Sequence, residues 1–268
     1  MNIIRYVDAG GQVKFAALAR DGVGWEIEGD VFGEFSVSGR RAEVRKVLAP
    51  IVPRAVLCIG LNYRKHAVET GCELPQYPIL FFKNPGAVQN PGDPIVLPTA
   101  LKSTKVDYEV ELVVVIGRTC REVGVEEALD YVLGYTVGND VSARDWQKFG
   151  GGGQWCLAKS FDTFAPLGPC LVTREEIPDP GALALSTTLN GEVVQRSSTG
   201  DMIFSCAEII AFLSQAMTLL PGTVIFTGTP EGVGMGRTPF VWLRAGDTVS
   251  VAVERIGVLS NPVVGGAV

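Results

Sequence analysis

Val106-Asp107-Tyr108-Glu109-Val110-Glu111-Leu112-Val113-Val114-Val115-Ile116-Gly117 is the stretch on which the fold turns. It is β-branched and apolar over most of its length and closes on glycine, the pattern of a buried strand rather than a helix. Side chains alternate faces along a strand, so Glu109 and Glu111 project the same way. Two carboxylates at that spacing, at the mouth of an apolar run, repel each other and lose hydration. The ordinary alternative is a solvated face of an antiparallel strand. If the pair is instead inside, something cationic must neutralise it, and a hard divalent ion such as Mg²⁺ is the simplest candidate because it prefers oxygen ligands.

Strand signals recur on both sides. Asn2 to Val7, Val13 to Leu18 and Val23 to Ile27 are short candidates separated by Gly-Gly and Asp-Gly turns. Arg40 to Leu48 has helical spacing and stops at Pro50, and Pro50 with Pro53 marks a boundary. Residues 1–50 are therefore expected to form a small β-rich N-terminal domain, and residues 51–268 a larger catalytic one. In the larger part, strands are expected at Ala55 to Gly60, Ile79 to Lys83, Ile95 to Leu97, Tyr135 to Asn139, Leu183 to Leu189, Val224 to Thr227 and Val249 to Val253. Helices are expected at Val125 to Val132, at Ser142 to Phe149, and at Cys206 to Leu219, where Ser205 and Glu208 make a capping box. Strands outnumber helices and do not alternate with them, which predicts a mixed α/β, mostly β architecture rather than a doubly wound sheet.

The bulk properties narrow the function. The chain has 268 residues, 47% of them apolar and 19% charged, enough for a substantial core. A net charge of −6 and a pI near 5.0, with no basic run, argue against a nucleic-acid partner. No apolar stretch reaches the roughly 20 residues of a membrane span, and the N-terminus lacks the pattern of a secretory signal. Six cysteines are scattered without a Cys-x-x-Cys pair, which suggests reduced thiols in the cytoplasm. A single histidine excludes a zinc site built on several.

A third carboxylate, Asp140, ends the strand after Tyr135-Thr136-Val137-Gly138-Asn139. With Glu109, Glu111 and water it would supply most of an octahedral oxygen shell, although an aspartate there also suits a helix cap. The lone His66 lies three residues before Glu69; on a helix the two share a face, and the carboxylate would fix the imidazole tautomer. A surface histidine with a chance acidic neighbour has the same spacing. Arg144 and Gln147 would likewise share a helical face. Thr229 sits in a glycine-rich turn able to hold a carboxylate. The glycine run 150–153 lacks the lysine–serine/threonine ending of a P-loop and reads as a flexible connection.

Four motifs in order decide between these alternatives: Asp107-Tyr108-Glu109-Val110-Glu111, Gly138-Asn139-Asp140-Val141-Ser142-Ala143-Arg144-Asp145-Trp146-Gln147, Lys159-Ser160-Phe161-Asp162-Thr163-Phe164-Ala165-Pro166-Leu167-Gly168-Pro169 and Thr227-Gly228-Thr229-Pro230-Glu231-Gly232-Val233-Gly234. Over roughly residues 55 to 265 the chain resembles the fumarylacetoacetate hydrolase family, in its short branch of acylpyruvate hydrolases, oxaloacetate tautomerases and decarboxylases, and hydroxymuconate-type isomerases. The resemblance implies a β-roll catalytic domain, a homodimer, and Mg²⁺ or Mn²⁺ on Glu109, Glu111 and Asp140. It further implies a small anionic 2-oxo acid as substrate, with His66 and Glu69 on a lid activating water. Lys159 becomes an active-site cation, Arg144, Gln147 and Thr229 become substrate ligands, and Lys83 is expected at the pocket rim. Hydrolytic C–C cleavage of an acylpyruvate-like substrate is the leading expectation. Tautomerisation or decarboxylation of oxaloacetate, or hydroxymuconate-type isomerisation, on the same site is the alternative.

Overall fold

The computed structural model describes residues 1–19 and 21–266; the last two residues of the expected 51–268 domain lie outside it. In chain order the strands are β1 (Asn2–Val7), β2 (Val13–Leu18), β3 (Gly24–Gly29), β4 (Phe35–Arg41), β5 (Lys46–Leu48), β6 (Ala55–Gly60), β7 (Ile79–Lys83), β8 (Val88–Gln89), β9 (Ile95–Leu97) and β10 (Val106–Asp107). They continue as β11 (Val110–Ile116), β12 (Val132–Asn139), β13 (Ser142–Ala143), β14 (Ala165–Thr173), β15 (Ala184–Leu189), β16 (Glu192–Ser198), β17 (Thr223–Phe226), β18 (Thr248–Val253) and β19 (Gly257–Gly265). The α-helices are few: α1 (Arg64–Thr70), α2 (Val125–Ala128), α3 (Cys156–Lys159) and α4 (Cys206–Ala216). The expectation of a mixed, mostly β architecture holds.

Twelve strands form one sheet with the main order β4-β3-β2-β1-β14-β12-β11-β17-β6-β7. Five more form a second sheet in the order β16-β15-β18-β19-β9. The N-terminal strands join the large sheet through β1, where Asn2 and Ile3 pair with Val172 and Leu171. β11 lies inside this sheet between β12 and β17, and all its residues are buried. Val110, Leu112, Val114 and Ile116 enter one apolar cluster, while Val113 and Val115 enter another. A strand buried on both faces needs a nearly unbroken apolar run, which is the sequence observed. Alternation puts Glu111 on the Val113 face, at the end of the strand where the core opens into a cavity.

Three local expectations are corrected. Arg40 to Leu48 is not helical: β4 runs to Arg41, and Lys46–Leu48 is a strand hydrogen-bonded to β1. An available sheet partner overrides a short stretch of helical spacing. The helix expected to reach Val132 ends at Ala128 and tightens through Leu129–Tyr131, because Val132 already pairs with Ile116. At Ser142 to Phe149, Ser142 and Ala143 pair with Asp107 and Val106 instead. The expected helix starts two residues late: Arg144 and Asp145 are helical, and Trp146–Gly150 continues them as one wide turn closed by the Gly151 N–H to the Trp146 carbonyl at 2.9 Å. In α4 the capping box between Ser205 and Glu208 forms as expected.

Candidate active site

The site is built where β11 and β12 end side by side. Glu111 faces Gly138 across the ladder, and a Cβ on that glycine would strike Phe226 and Val113. The chain beyond is then tied down by two bonds, the Asp140 N–H to the Glu109 carbonyl at 2.9 Å and the Glu109 N–H to the Asn139 side-chain oxygen at 3.0 Å. These hold three carboxylates, those of Glu109, Glu111 and Asp140, so that one ligand atom of each lies within 4.8 Å of the others. All three are buried.

Three cations answer them. Lys159 Nζ, delivered by α3, donates to Glu109 Oε2 and to Asp140 Oδ2, each at 2.7 Å. Arg144 donates to Glu109 Oε1 at 2.6 Å, to Asp107 Oδ2 at 2.8 Å and to Gln147 Oε1 at 2.9 Å. The helical run from Arg144 into the wide turn at Trp146–Gly150 is what brings Arg144 and Gln147 together. Lys83 donates to Asp140 Oδ1 at 2.5 Å and to the Val141 carbonyl at 3.2 Å. It is fully buried behind Asp140 and is absent from the cavity lining, so the expectation of a rim residue is corrected: Lys83 props a carboxylate from beneath. β7 pairs with β6 in the register that turns its side chain inward.

Sequence reasoning left Asp107 and Gln195 without roles. Buried Asp107 accepts from the Gly234 and Met235 N–H groups as well as from Arg144, and so ties the arginine to the 234–236 turn. The motif Asp107-Tyr108-Glu109-Val110-Glu111 was the available signal; no signal marked Gln195.

The charges do not balance. Glu111 accepts the Gly228 N–H at 2.7 Å but forms no ion pair among the described residues. Burial, then the charges of Asp140 and Glu109, push its carboxyl well above the usual range. Burial would also raise Glu109, yet the charges of Lys159 and Arg144 outweigh it and hold that carboxyl at about 2. Burial opposes the charge of Lys159, which Asp140 and Glu109 nonetheless raise above its ordinary value. An all-oxygen set with one carboxylate lacking a counter-charge fits a hard divalent cation.

The triad lines a cavity of about 630 Å³ together with Lys159, Arg144, Gln147, Thr229 and His66. His66 and Glu69 are one turn apart on α1, with Nδ1 and Oε2 2.9 Å apart. Glu69 Oε1 takes the Gly232 N–H at 2.8 Å, which docks α1 on the glycine-rich turn. That turn leaves room: a Cβ at Gly236 would strike the Glu69 carboxyl. Because Nδ1 faces the carboxylate, Nδ1 carries the proton and Nε2 is free to accept one. Eight of the ten expected site residues thus line the cavity; Glu69 supports His66, and Lys83 lies beneath.

A β-roll frame thus ends in a buried acidic triad beside a lysine, a donor set that a hard divalent cation would suit. The family described as "Fumarylacetoacetate (FAA) hydrolase C-terminal" matches residues 55–264, and the chain belongs to that family. The mitochondrial oxaloacetate tautomerase fahd2 of Xenopus laevis is 48% identical over 219 residues, 81% of this chain and 68% of that protein. Among solved structures, the 5-carboxymethyl-2-hydroxymuconate delta-isomerase of Mycobacterium smegmatis superposes with a TM-score of 0.87 at 42% identity, covering 99% of this chain and 100% of that one. The fumarylacetoacetate hydrolase of Exiguobacterium antarcticum reaches a TM-score of 0.89 at 34% identity over 99% and 100% of the two chains.

Proposed function

We propose that this chain is a divalent-metal-dependent tautomerase of small 2-oxo dicarboxylic acids, interconverting keto and enol oxaloacetate or a close analogue. The observation that carries it is the cavity-lining triad with Lys159 bridging two of its members. The names of the relatives shift the balance from hydrolysis, the leading expectation from sequence, toward this alternative. Glu109, Glu111 and Asp140 would hold Mg²⁺ or Mn²⁺, which when bound polarises the 2-oxo group. The chain does the rest. Lys159 stabilises negative charge on the substrate oxygen, while Arg144, Gln147 and the Thr229 hydroxyl orient the carboxylates. His66 Nε2 takes the proton from C3, the C–H electron pair becomes the C2–C3 double bond, and the 2-oxo oxygen takes a proton from water, so that no C–C bond breaks.

Ultraviolet decay of enol-oxaloacetate tests this directly. We expect Mg²⁺-dependent acceleration that Glu109→Ala removes; an unaccelerated decay with wild type sinks the reading. Acylpyruvate cleavage is the second reading, favoured by the His66–Glu69 pair, which could equally activate water. Pyruvate release from an acylpyruvate, lost in His66→Ala, would select it.

We also propose a homodimer, which sedimentation would check. Six free thiols suit a reducing compartment, the cytoplasm in our reading; the mitochondrial location named for the relatives is theirs. No helix of the described residues is long and apolar enough to cross a membrane.

A further inference from the structure

Gln195, on β16 of the smaller sheet, reaches the end of β11 and the Thr229 turn at once and is buried. Its Oε1 accepts the Val110 N–H at 3.1 Å and the Thr187 hydroxyl at 2.7 Å. Its Nε2 donates to the Pro230 carbonyl and to Thr229 Oγ1, both at 3.0 Å. The orientation of the amide is forced rather than chosen. A backbone N–H can only donate and a backbone carbonyl can only accept, so the oxygen must face Val110 and the nitrogen must face Pro230. Both lone-pair directions of the oxygen and both N–H groups are then committed.

The consequence falls on Thr229. Its oxygen must accept from Gln195, and its own proton goes to no protein group among the described residues. Thr229 lines the cavity, where the acidic triad lies. We infer that Gln195 is a positioning residue: it sets the Thr229 hydroxyl as a donor into the cavity, toward a substrate carboxylate. A hydroxyl released from Gln195 could turn its proton away from the cavity and present only lone pairs, which would repel an anion. The smaller sheet thereby reaches into the substrate end of a site otherwise built on the large one. The inference rests on the reading of Thr229 as a carboxylate ligand.

The test is a double-mutant cycle read by calorimetry of oxalate binding to the Mg²⁺-loaded protein. Gln195→Glu keeps the oxygen that Val110 and Thr187 need but replaces the donor to Thr229 with an acceptor. We expect it to weaken oxalate about tenfold, the scale of one charge-assisted hydrogen bond. Thr229→Val should lose a similar factor, Thr229→Ser should bind as wild type, and the double variant should be no weaker than Thr229→Val alone. A purely structural Gln195 would lower affinity by the same factor whether or not residue 229 carries a hydroxyl. Factors that multiply in the double variant, or wild-type affinity in Gln195→Glu, overturn the inference. Should Gln195→Glu fail to fold, Gln195→Met, similar in volume and without the amide, enters the same cycle with the same two outcomes. Enol-oxaloacetate turnover is measured separately. Wild type that binds oxalate without turning over the enol loses the tautomerase reading, and the cycle still decides Gln195. Wild type that binds no oxalate overturns the carboxylate role of Thr229 and this inference with it.

Discussion

Glu109 and Glu26 have nearly the same list of partners and opposite circumstances. Glu109 accepts from Lys159 at 2.7 Å and Arg144 at 2.6 Å; Glu26 accepts from Lys14 and Arg40, both at 3.0 Å. Both carboxyls are lowered, Glu109 by Lys159 and Arg144 against burial, Glu26 by hydrogen bonds from Lys14 and Arg40. The difference lies in what could replace a lost partner. The side chain of Arg40 is 64% exposed, whereas those of Lys159 and Arg144 are 3% and 5% exposed. Water can take over for Arg40 and cannot take over for Lys159. The depressed carboxyl therefore reports a neighbour in both places and a cluster closed to water only in one.

The largest expected effect follows from that asymmetry. Lys159→Met leaves Glu109 and Asp140 facing each other with one cation fewer. Denaturant unfolding in a chelator should show a loss of about 3–5 kcal/mol, the usual cost of orphaning a buried charge. Turnover should fall about 100-fold or more. Glu111→Gln sharpens the comparison because it should leave the metal-free fold nearly untouched. Glu111 has no ion pair to lose, so the metal-free variant should keep wild-type stability to within about 1 kcal/mol. Mg²⁺ should raise the unfolding midpoint of wild type, and this rise should vanish in the variant. A metal-free Glu111→Gln that unfolds as readily as Lys159→Met would mean that Glu111 is not the uncompensated member of the triad.

Legibility in the sequence followed the same division between local and remote causes. Glu109, Glu111 and Asp140 could be read because strand alternation and a strand end are local facts, and the flanking motifs supplied the family. His66 and Glu69 could be read from helical spacing, since the turn that joins them contains both. The position of Lys83 could not, because the direction of its side chain depends on how β7 pairs with β6. Gln195 was invisible for a stronger reason: it acts on Val110 and Thr229, which reach it only when the two sheets meet. The helix expected at Arg40 to Leu48 failed likewise, as β5 exists only because β1 offers it an edge.

His66 and Glu69 stand between the two extremes, with side chains 10% and 17% exposed. His66→Ala should reduce turnover by about 10²–10⁴-fold, the range for loss of a general base. Its metal-free unfolding should change far less than that of Lys159→Met, because Glu69 keeps the Gly232 N–H. Turnover within twofold of wild type would remove the imidazole from proton transfer.

The smallest effect belongs to Glu26, and its pH dependence shows why. Its folded carboxyl lies below the ordinary value of about 4.5, so folding favours the ionised form. Stability from this source is present above the ordinary value and is lost as pH falls through the lower folded one. Glu26→Gln at neutral pH should lower the unfolding midpoint by about 3 °C or less. The gap from wild type should close on acidification, since a protonated carboxyl resembles an amide. It should also close at 1 M salt, where the screening length is about 3 Å, while the deficit of Lys159→Met should persist there. A Glu26→Gln deficit that matched that of Lys159→Met and ignored salt would erase the distinction between the clusters, because exposure would then have no bearing on the worth of an ion pair.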